Sequence, residues 1–239
     1  MNVLSLFAIA MLITTSLAPK ITTSEELIRS MHDRYANSWY KTLTFVQKTT
    51  TYKPDGTSSA ETWYEYMSLP GKLRIDIDPV KEGNSILFAN DTQYTIKGGK
   101  VSSSQPRVHS LLLLGFDVYA LKPEETLAKL KQLGFDLSVM HEDTWQGRPV
   151  YVVGAQSGDL RSRQFWIDKE YLYFVRLLQP NRDGSKIQET QFNKYVRMGK
   201  GWVSAEVLFM TGGKPTTKEE YSDLKIDVNL DNKMFEPSN

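Results

Sequence analysis

Residues 67–78 read MSLPGKLRIDID. Pro70-Gly71 interrupts two strand-like runs, and after it Leu73, Ile75 and Ile77 alternate with Arg74, Asp76 and Asp78. A period of two with one apolar face is the mark of a half-buried strand, and a Pro-Gly break places that strand in a tight antiparallel connection. The surrounding sequence repeats the theme. TLTFVQKTTTY (42–52) sets Leu43, Phe45 and Gln47 on one side, KPDGTSS (53–59) makes a turn, and ETWYEYMSL (61–69) returns. SILFAND (85–91) ends in an Asn-Asp turn, and TQYTIKGGK (92–100) is closed by Gly98-Gly99. About five short strands in succession with tight connections predict an antiparallel meander.

Upstream the period changes. Thr23 with Glu26 three residues later forms a capping box, and Leu27, Met31, Tyr35 and Trp39 recur every fourth residue, predicting an amphipathic helix with an aromatic-rich stripe. In the middle of the chain, VHSLLLLGFDVYAL (108–121) and KPEETLAKLKQLGF (122–135) read as two helical segments, the second opened by Pro123 and stopped at Gly134. Strands then resume to the end, through FDLSVMHEDTW, RPVYVVGAQ, SRQFWIDKE, YLYFVRLLQ, SKIQETQFNKYVRM, GWVSAEVLFM and EYSDLKIDVNL. In YLYFVRLLQ both faces are apolar, with Leu172, Phe174 and Leu178 alternating against Tyr173, Val175 and Leu177, so each face needs a local cover. No long polar linker and no repeat separates the halves. An antiparallel sheet of this size curls rather than staying flat. The expected architecture is α+β: a curled antiparallel sheet forming an unclosed β-barrel of about 10–12 strands, with helices covering its concave side.

Composition narrows the function. With 29 basic and 28 acidic residues the formal net charge is +1, so no global field draws nucleic acid, and no nucleic-acid partner is expected. There is no cysteine, which removes disulfides, thiolate metal sites, a thiol nucleophile and N-terminal lipidation on Cys. His32, His109 and His141 are scattered without carboxylates at ligand spacing, so no metal or other cofactor is expected. At the N-terminus, the apolar run Val3–Ile13 followed by Ser16-Leu17-Ala18 fits a signal peptide over residues 1–18 with cleavage near Ala18, leaving 19–239 as one domain. No Lys or Arg precedes the run and Pro19 follows the site, so an uncleaved anchor is the competing reading. An exported chain without Cys fits the periplasm.

Chemistry is sparse. The chain lacks Gly-x-Ser-x-Gly, His-Glu-x-x-His and a phosphate-binding glycine loop. Asp76 and Asp78 share a strand face with Arg74, which reads as a solvated ion pair rather than an acid and base. Trp166 and Asp168 read as a structural aromatic beside a turn-forming Asp. No catalytic residue and no enzyme is expected. Aromatic and aliphatic side chains are plentiful instead; they either fill the core or line a cavity for an acyl chain, where each buried methylene is worth ~0.8 kcal/mol.

The order of elements resembles the LolA-like superfamily, which includes the periplasmic lipoprotein carrier LolA, LolB and the sensor RseB. The resemblance rests on Phe45-x-Gln47-Lys48 in the first strand, a second strand running into Pro70, and a third from Leu73 to Ile77 followed by Pro79 and an acidic segment. It extends to SILFANDTQYTIKGGK, the hairpin QFWIDKEYLYFVRL and the terminal Phe235-Glu236-Pro237. It implies an apolar half-barrel that binds lipid or lipoprotein acyl chains, with Phe45, Trp63, Met67, Leu73, Ile75, Phe88 and Tyr94 facing the cavity. Outer-membrane lipoprotein sorting by a monomer is the implied role. The alternative is an envelope sensor of the RseB type, with an envelope protein as partner. Carriers of the LolA kind hold an Arg immediately before the Pro of the second strand, where it helps keep the cavity shut. This chain has Leu69 there, and without Cys it cannot be an acylated acceptor like LolB.

Overall fold

A computed structural model describes residues 20–237, so the signal peptide read at 1–18 lies outside the described residues. The first helix, α1 (Ser24–Tyr35), starts at the predicted capping box. Glu26 N donates to Thr23 Oγ1 at 3.1 Å, and Thr23 N donates back to the Glu26 carboxylate at 3.1 Å. Leu27, Ile28, Met31 and Tyr35 form its buried stripe. The helix stops four residues short of Trp39, correcting the reading that carried the stripe through it. Both Ser38 N and Trp39 N donate to the Tyr35 carbonyl at 2.8 Å, which ends the helix in a turn. Trp39 is still buried, its ring edge-on to Tyr35 at 4.9 Å.

The strands are β1 (Thr42–Tyr52), β2 (Ser58–Ser68), β3 (Lys72–Ile77), β4 (Ser85–Ala89), β5 (Thr92–Lys97) and β6 (Lys100–Pro106), followed by the helices α2 (Ser110–Gly115) and α3 (Pro123–Gln132). Then come β7 (Met140–Trp145), β8 (Arg148–Val153), β9 (Gln164–Asp168), β10 (Phe174–Pro180), β11 (Ile187–Met198), β12 (Gly201–Thr211) and β13 (Lys214–Ile226). All belong to one antiparallel sheet of 13 strands, more than the 10–12 expected. The strand the pattern missed is β6, KVSSSQP, which is exposed along almost its whole length and so has no apolar face to betray it.

The strand order runs β6-β5-β4-β3-β2-β1-β13-β12-β11-β10-β9-β8-β7. Two meanders are thus joined through the first and last strands, β1 and β13. The consecutive strands β6 and β7 end up at opposite edges, which do not pair with each other, so the barrel is unclosed. The connection between them, residues 107–139, must therefore cross from edge to edge. It carries α2 and α3, whose Leu112, Leu113, Leu114 and Leu130 enter the main core with the α1 stripe. Those leucines share the cluster with Leu43, Phe45, Met67, Leu73 and Phe88, so the crossing helices lie on the concave side.

Bulges adjust the alternation. In β10 the pairing with β9 shifts between Phe174 and Arg176, so Phe174 and Leu177 both join the concave core. Strict alternation would have placed Leu178 there instead of Leu177. Val175 and Tyr173 join Trp166, Val150 and Val152 in a separate cluster on the convex face, and the Arg176 guanidinium lies 4.6 Å from the Trp166 ring centroid. The cover that the doubly apolar β10 demanded is therefore different on each face: helices inside, an aromatic layer outside.

One backbone position is tightly constrained. Gly154, at the end of β8, has φ +103°, and a Cβ there would sit 2.4 Å from the Arg163 carbonyl oxygen. At Gly98 φ is +57° with nothing within 4 Å. Gly154→Ala is expected to destabilise the fold by about 3 kcal/mol, whereas Gly98→Ala costs only about 1 kcal/mol, the left-handed penalty alone. Urea-denaturation midpoints of the two variants check this order.

Candidate apolar binding cavity

Beyond the helices, the concave face holds a cavity of about 640 Å³. That lies within the ~300–1,000 Å³ typical of small-molecule sites. Register explains who lines it. Phe45 on β1 stands opposite Glu65 on β2, and Leu43 opposite Met67. Trp63, Glu65 and Met67 stand opposite Ile77, Ile75 and Leu73 on β3, and Leu73 and Ile75 opposite Phe88 and Ile86 on β4. One face of four adjacent strands is thereby turned inward. The opposite wall comes from Leu177 on β10, Phe192 on β11 and Val207 and Phe209 on β12, and the roof from Leu111, Leu112 and Phe116 of the α2 region.

Six of the seven side chains named from the resemblance meet here: Phe45, Trp63, Met67, Leu73, Ile75 and Phe88. Tyr94 does not, and its assignment is corrected. It pairs with Leu87, while its neighbour Gln93 pairs with Phe88 and lines the cavity. Tyr94 therefore packs on the convex side around Leu87, Ala89, Ile96 and Phe235. The C-terminal segment covers that side, so apolar residues there do not imply a ligand.

The same segment covers part of the charged face of β3. Arg74 Nε donates to Asp76 at 2.8 Å, and its Nη1 donates to the Met234 carbonyl at 3.1 Å. The pair is half-buried rather than solvated, because residues Asn232–Phe235 lie over it. Asp168 is structural, as read: fully buried, it accepts from Glu170 N at 3.0 Å, Tyr171 N at 2.7 Å and Arg148 Nε at 2.6 Å.

Leu69 packs against the main core. The turn it occupies is tied to the helix layer by a different contact, Gly71 N donating to Asp117 Oδ1 at 2.9 Å. Burial pushes the Asp117 carboxyl up to about 7. A second tie runs from α3 to the β4–β5 turn, between Lys129 and Asp91. At the mouth, His109 caps α2 by accepting from Leu112 N at 3.1 Å, and burial lowers its pKa to about 4, which keeps the ring neutral and able to accept.

The cavity also has a polar side that the apolar pattern does not announce: Glu65 on β2 and Glu219 and Tyr221 on β13 line it. Tyr221 Oη donates to Glu219 Oε2 at 2.8 Å, with its ring 4.3 Å from that of Phe45. Burial raises the Glu219 carboxyl from 4.5 to about 7 and raises Glu65 well above 4.5, the Glu219 charge adding to the latter. Between pH 4.5 and 7 the folded chain thus retains a proton at Glu219 that the unfolded chain has lost, so this group makes stability fall as pH rises through that window. Glu219→Gln is expected to gain about 2–3 kcal/mol on wild type between pH 5 and pH 8, read by denaturant unfolding at both. Asp117 acts in the same direction and His109 in the opposite one, and both are common to the two proteins; the part of the Glu65 rise that comes from the Glu219 charge is lost in the variant and adds to its gain. Among the described residues, no group of three or more His, Asp or Glu could hold a metal ion.

No family model matches the sequence, and no curated protein matches it at a significant level. Solved structures do match. A DUF1329 family protein from Desulfovibrio piger aligns over 89% of this chain and 95% of its own, with TM-score 0.62 and 15% identity. A LolA superfamily protein from Nitrosomonas europaea aligns over 90% and 98%, with TM-score 0.59 and 13% identity. A putative outer membrane lipoprotein-sorting protein domain from Vibrio parahaemolyticus aligns over 88% and 95%, with TM-score 0.58 and 15% identity. At such identities the likeness is one of fold, and it spans nearly the full length of all three.

Proposed function

We propose that this chain, built on the LolA-like half-barrel fold, is an exported, non-catalytic binder of amphiphiles that shields an acyl chain in its concave cavity. The observation that carries this reading is the cavity itself. It is continuous from the β1–β4 wall to the β10–β12 wall, with aromatic and aliphatic side chains on both sides and on the helical roof. The fold shared with a lipoprotein-sorting domain supports a lipoprotein acyl chain as one such ligand. Binding of this kind needs a dry, shaped space and no reactive group, because each buried methylene contributes ~0.8 kcal/mol. On this reading residues 1–18 serve export to the periplasm, and 19–239 act as one monomeric unit.

The test is mass spectrometry of organic extracts from natively purified protein, followed by titration of the delipidated protein with a fluorescent probe bearing a twelve-carbon chain. Copurifying lipid and saturable probe binding are the expected results. Absence of both defeats the proposal.

A further inference from the structure

The polar groups inside this cavity are unevenly matched, and the imbalance bears on what the ligand's head carries. Glu65 is only 6% exposed and sits in the middle of the apolar wall, opposite Phe45 on one side and Ile75 on the other. No protein group among the described residues hydrogen-bonds to its carboxyl; burial and the neighbouring Glu219 are all that act on it. Gln47, 1% exposed and outside the cavity lining, donates from Nε2 to Thr49 Oγ1 at 2.7 Å. Glu219 accepts from Tyr221 Oη at 2.8 Å and is also approached by the Gln47 amide. What this point lacks is a cation: among the described residues no Lys or Arg side chain bonds to Glu65 or Glu219, and the Glu65 carboxyl, protonated when the site is empty, has a proton to give to an arriving amine.

The charges agree. Lys48, Lys218 and Glu220 on the same strands point to the other face, where Lys218 pairs with Glu220 at 3.1 Å. The two cations that line the cavity, Arg107 and Arg163, bond to Gln93 of β5 and Gln179 of β10, each at 2.7 Å, and neither bonds to Glu65 or Glu219. A buried carboxyl lacking a partner is costly, and it persists where something else supplies the donors.

We propose that Glu65, with Glu219 beside it, forms a seat inside the cavity for the protonated amine of an amphiphile whose chain lies against Phe45, Ile75 and Phe209. This rests on the reading of the cavity as an acyl-chain site and names the class of ligand for it. An amine that takes the Glu65 proton becomes an ammonium with three donors, no acceptor and a positive charge, and leaves Glu65 the carboxylate that pairs with it. A carboxylate head would add acceptors and like charge to the same point, and a hydroxyl head would supply a single donor.

The experiment compares dodecylamine, dodecanol and dodecanoate, equal in chain length, by displacement of the twelve-carbon fluorescent probe at pH 7 in 150 mM salt. Wild type is expected to bind the amine at least tenfold tighter than either of the others. In Glu65→Gln/Glu219→Gln the ratio of amine to alcohol affinity is expected to collapse to near one. Equal binding of amine and alcohol by wild type, a comparison that needs no variant, overturns the seat while leaving the acyl-chain reading intact. A double variant that is folded by circular dichroism and keeps the amine preference overturns it as well. If none of the three displaces the probe and the probe itself does not bind, the acyl-chain reading falls and the seat falls with it.

Discussion

Tyr119→Ala is expected to destabilise the protein by about 4–5 kcal/mol, enough to unfold a large share of the molecules of a marginally stable domain. Tyr119 is fully buried just after α2, at the point where the crossing connection meets α1 and the sheet. Its ring stacks on Trp39 at 3.8 Å and meets Tyr35 edge-on at 5.2 Å, and its hydroxyl donates to the Leu172 carbonyl at 3.1 Å. Truncation removes a whole aromatic ring, worth ~3–5 kcal/mol in a core, together with two ring–ring contacts and a hydrogen bond. Tyr119→Phe keeps the ring and loses only the last of these, so about 1–2 kcal/mol is expected. Urea denaturation of both variants reads the effects. A loss below about 2 kcal/mol for the alanine variant would show that the helix layer does not depend on this stack.

That residue also illustrates what was legible in the sequence. The segment containing Tyr119 reads as helical from its run of leucines, and the capping box and period of α1 read directly, because short-range hydrogen bonding decides both. Strand after strand is visible from period two wherever one face is apolar. β6 is invisible for the opposite reason: KVSSSQP is polar on both faces, and its place comes from pairing with β5 across Gly98-Gly99. The strand count was short by that element.

The cavity was legible in its apolar members and not in its polar ones. Glu65 shares a strand face with Trp63 and Met67, so period two already placed it inside; an acid among aromatics simply reads as the outward side. Glu219 and Tyr221 were concealed by a break in alternation. Leu224 and Ile226 also pack against the concave core, and they have the opposite parity from Glu219 and Tyr221. The pairing of β13 with β1 shifts between Thr44 and Val46, and Asp223 there has φ +52°. Counting back from Leu224 by twos puts Glu219 outside. Tyr94 failed differently: alternation separates the two faces of a strand but does not say which one faces inward, and the cover on the convex side comes from residues near 235, far away in sequence.

Ile75→Trp is expected to weaken binding of the twelve-carbon probe by about 50-fold with little change in stability. Ile75 stands on β3 between Glu65 and Ile86, and its side chain forms part of the cavity wall. Adding a large side chain to a packed core costs ~1–3 kcal/mol, but here the indole has a space to enter, so the lower end of that range applies. If the indole takes the room of roughly three methylenes, about 2.4 kcal/mol of transfer energy is withheld from the ligand, and at 1.4 kcal/mol per tenfold this is a factor of about 50. Tyr94→Ala is the matching control. It removes an aromatic ring from the convex side of the same meander, and it is expected to leave probe affinity within about twofold of wild type while lowering stability. The pair separates occupation of the cavity from general loosening of the barrel. Loosening would weaken binding in Tyr94→Ala and spare it in Ile75→Trp, whereas a chain lodged along β3 gives the reverse. Unchanged affinity in a well-folded Ile75→Trp protein would mean that acyl chains bind somewhere other than the concave face.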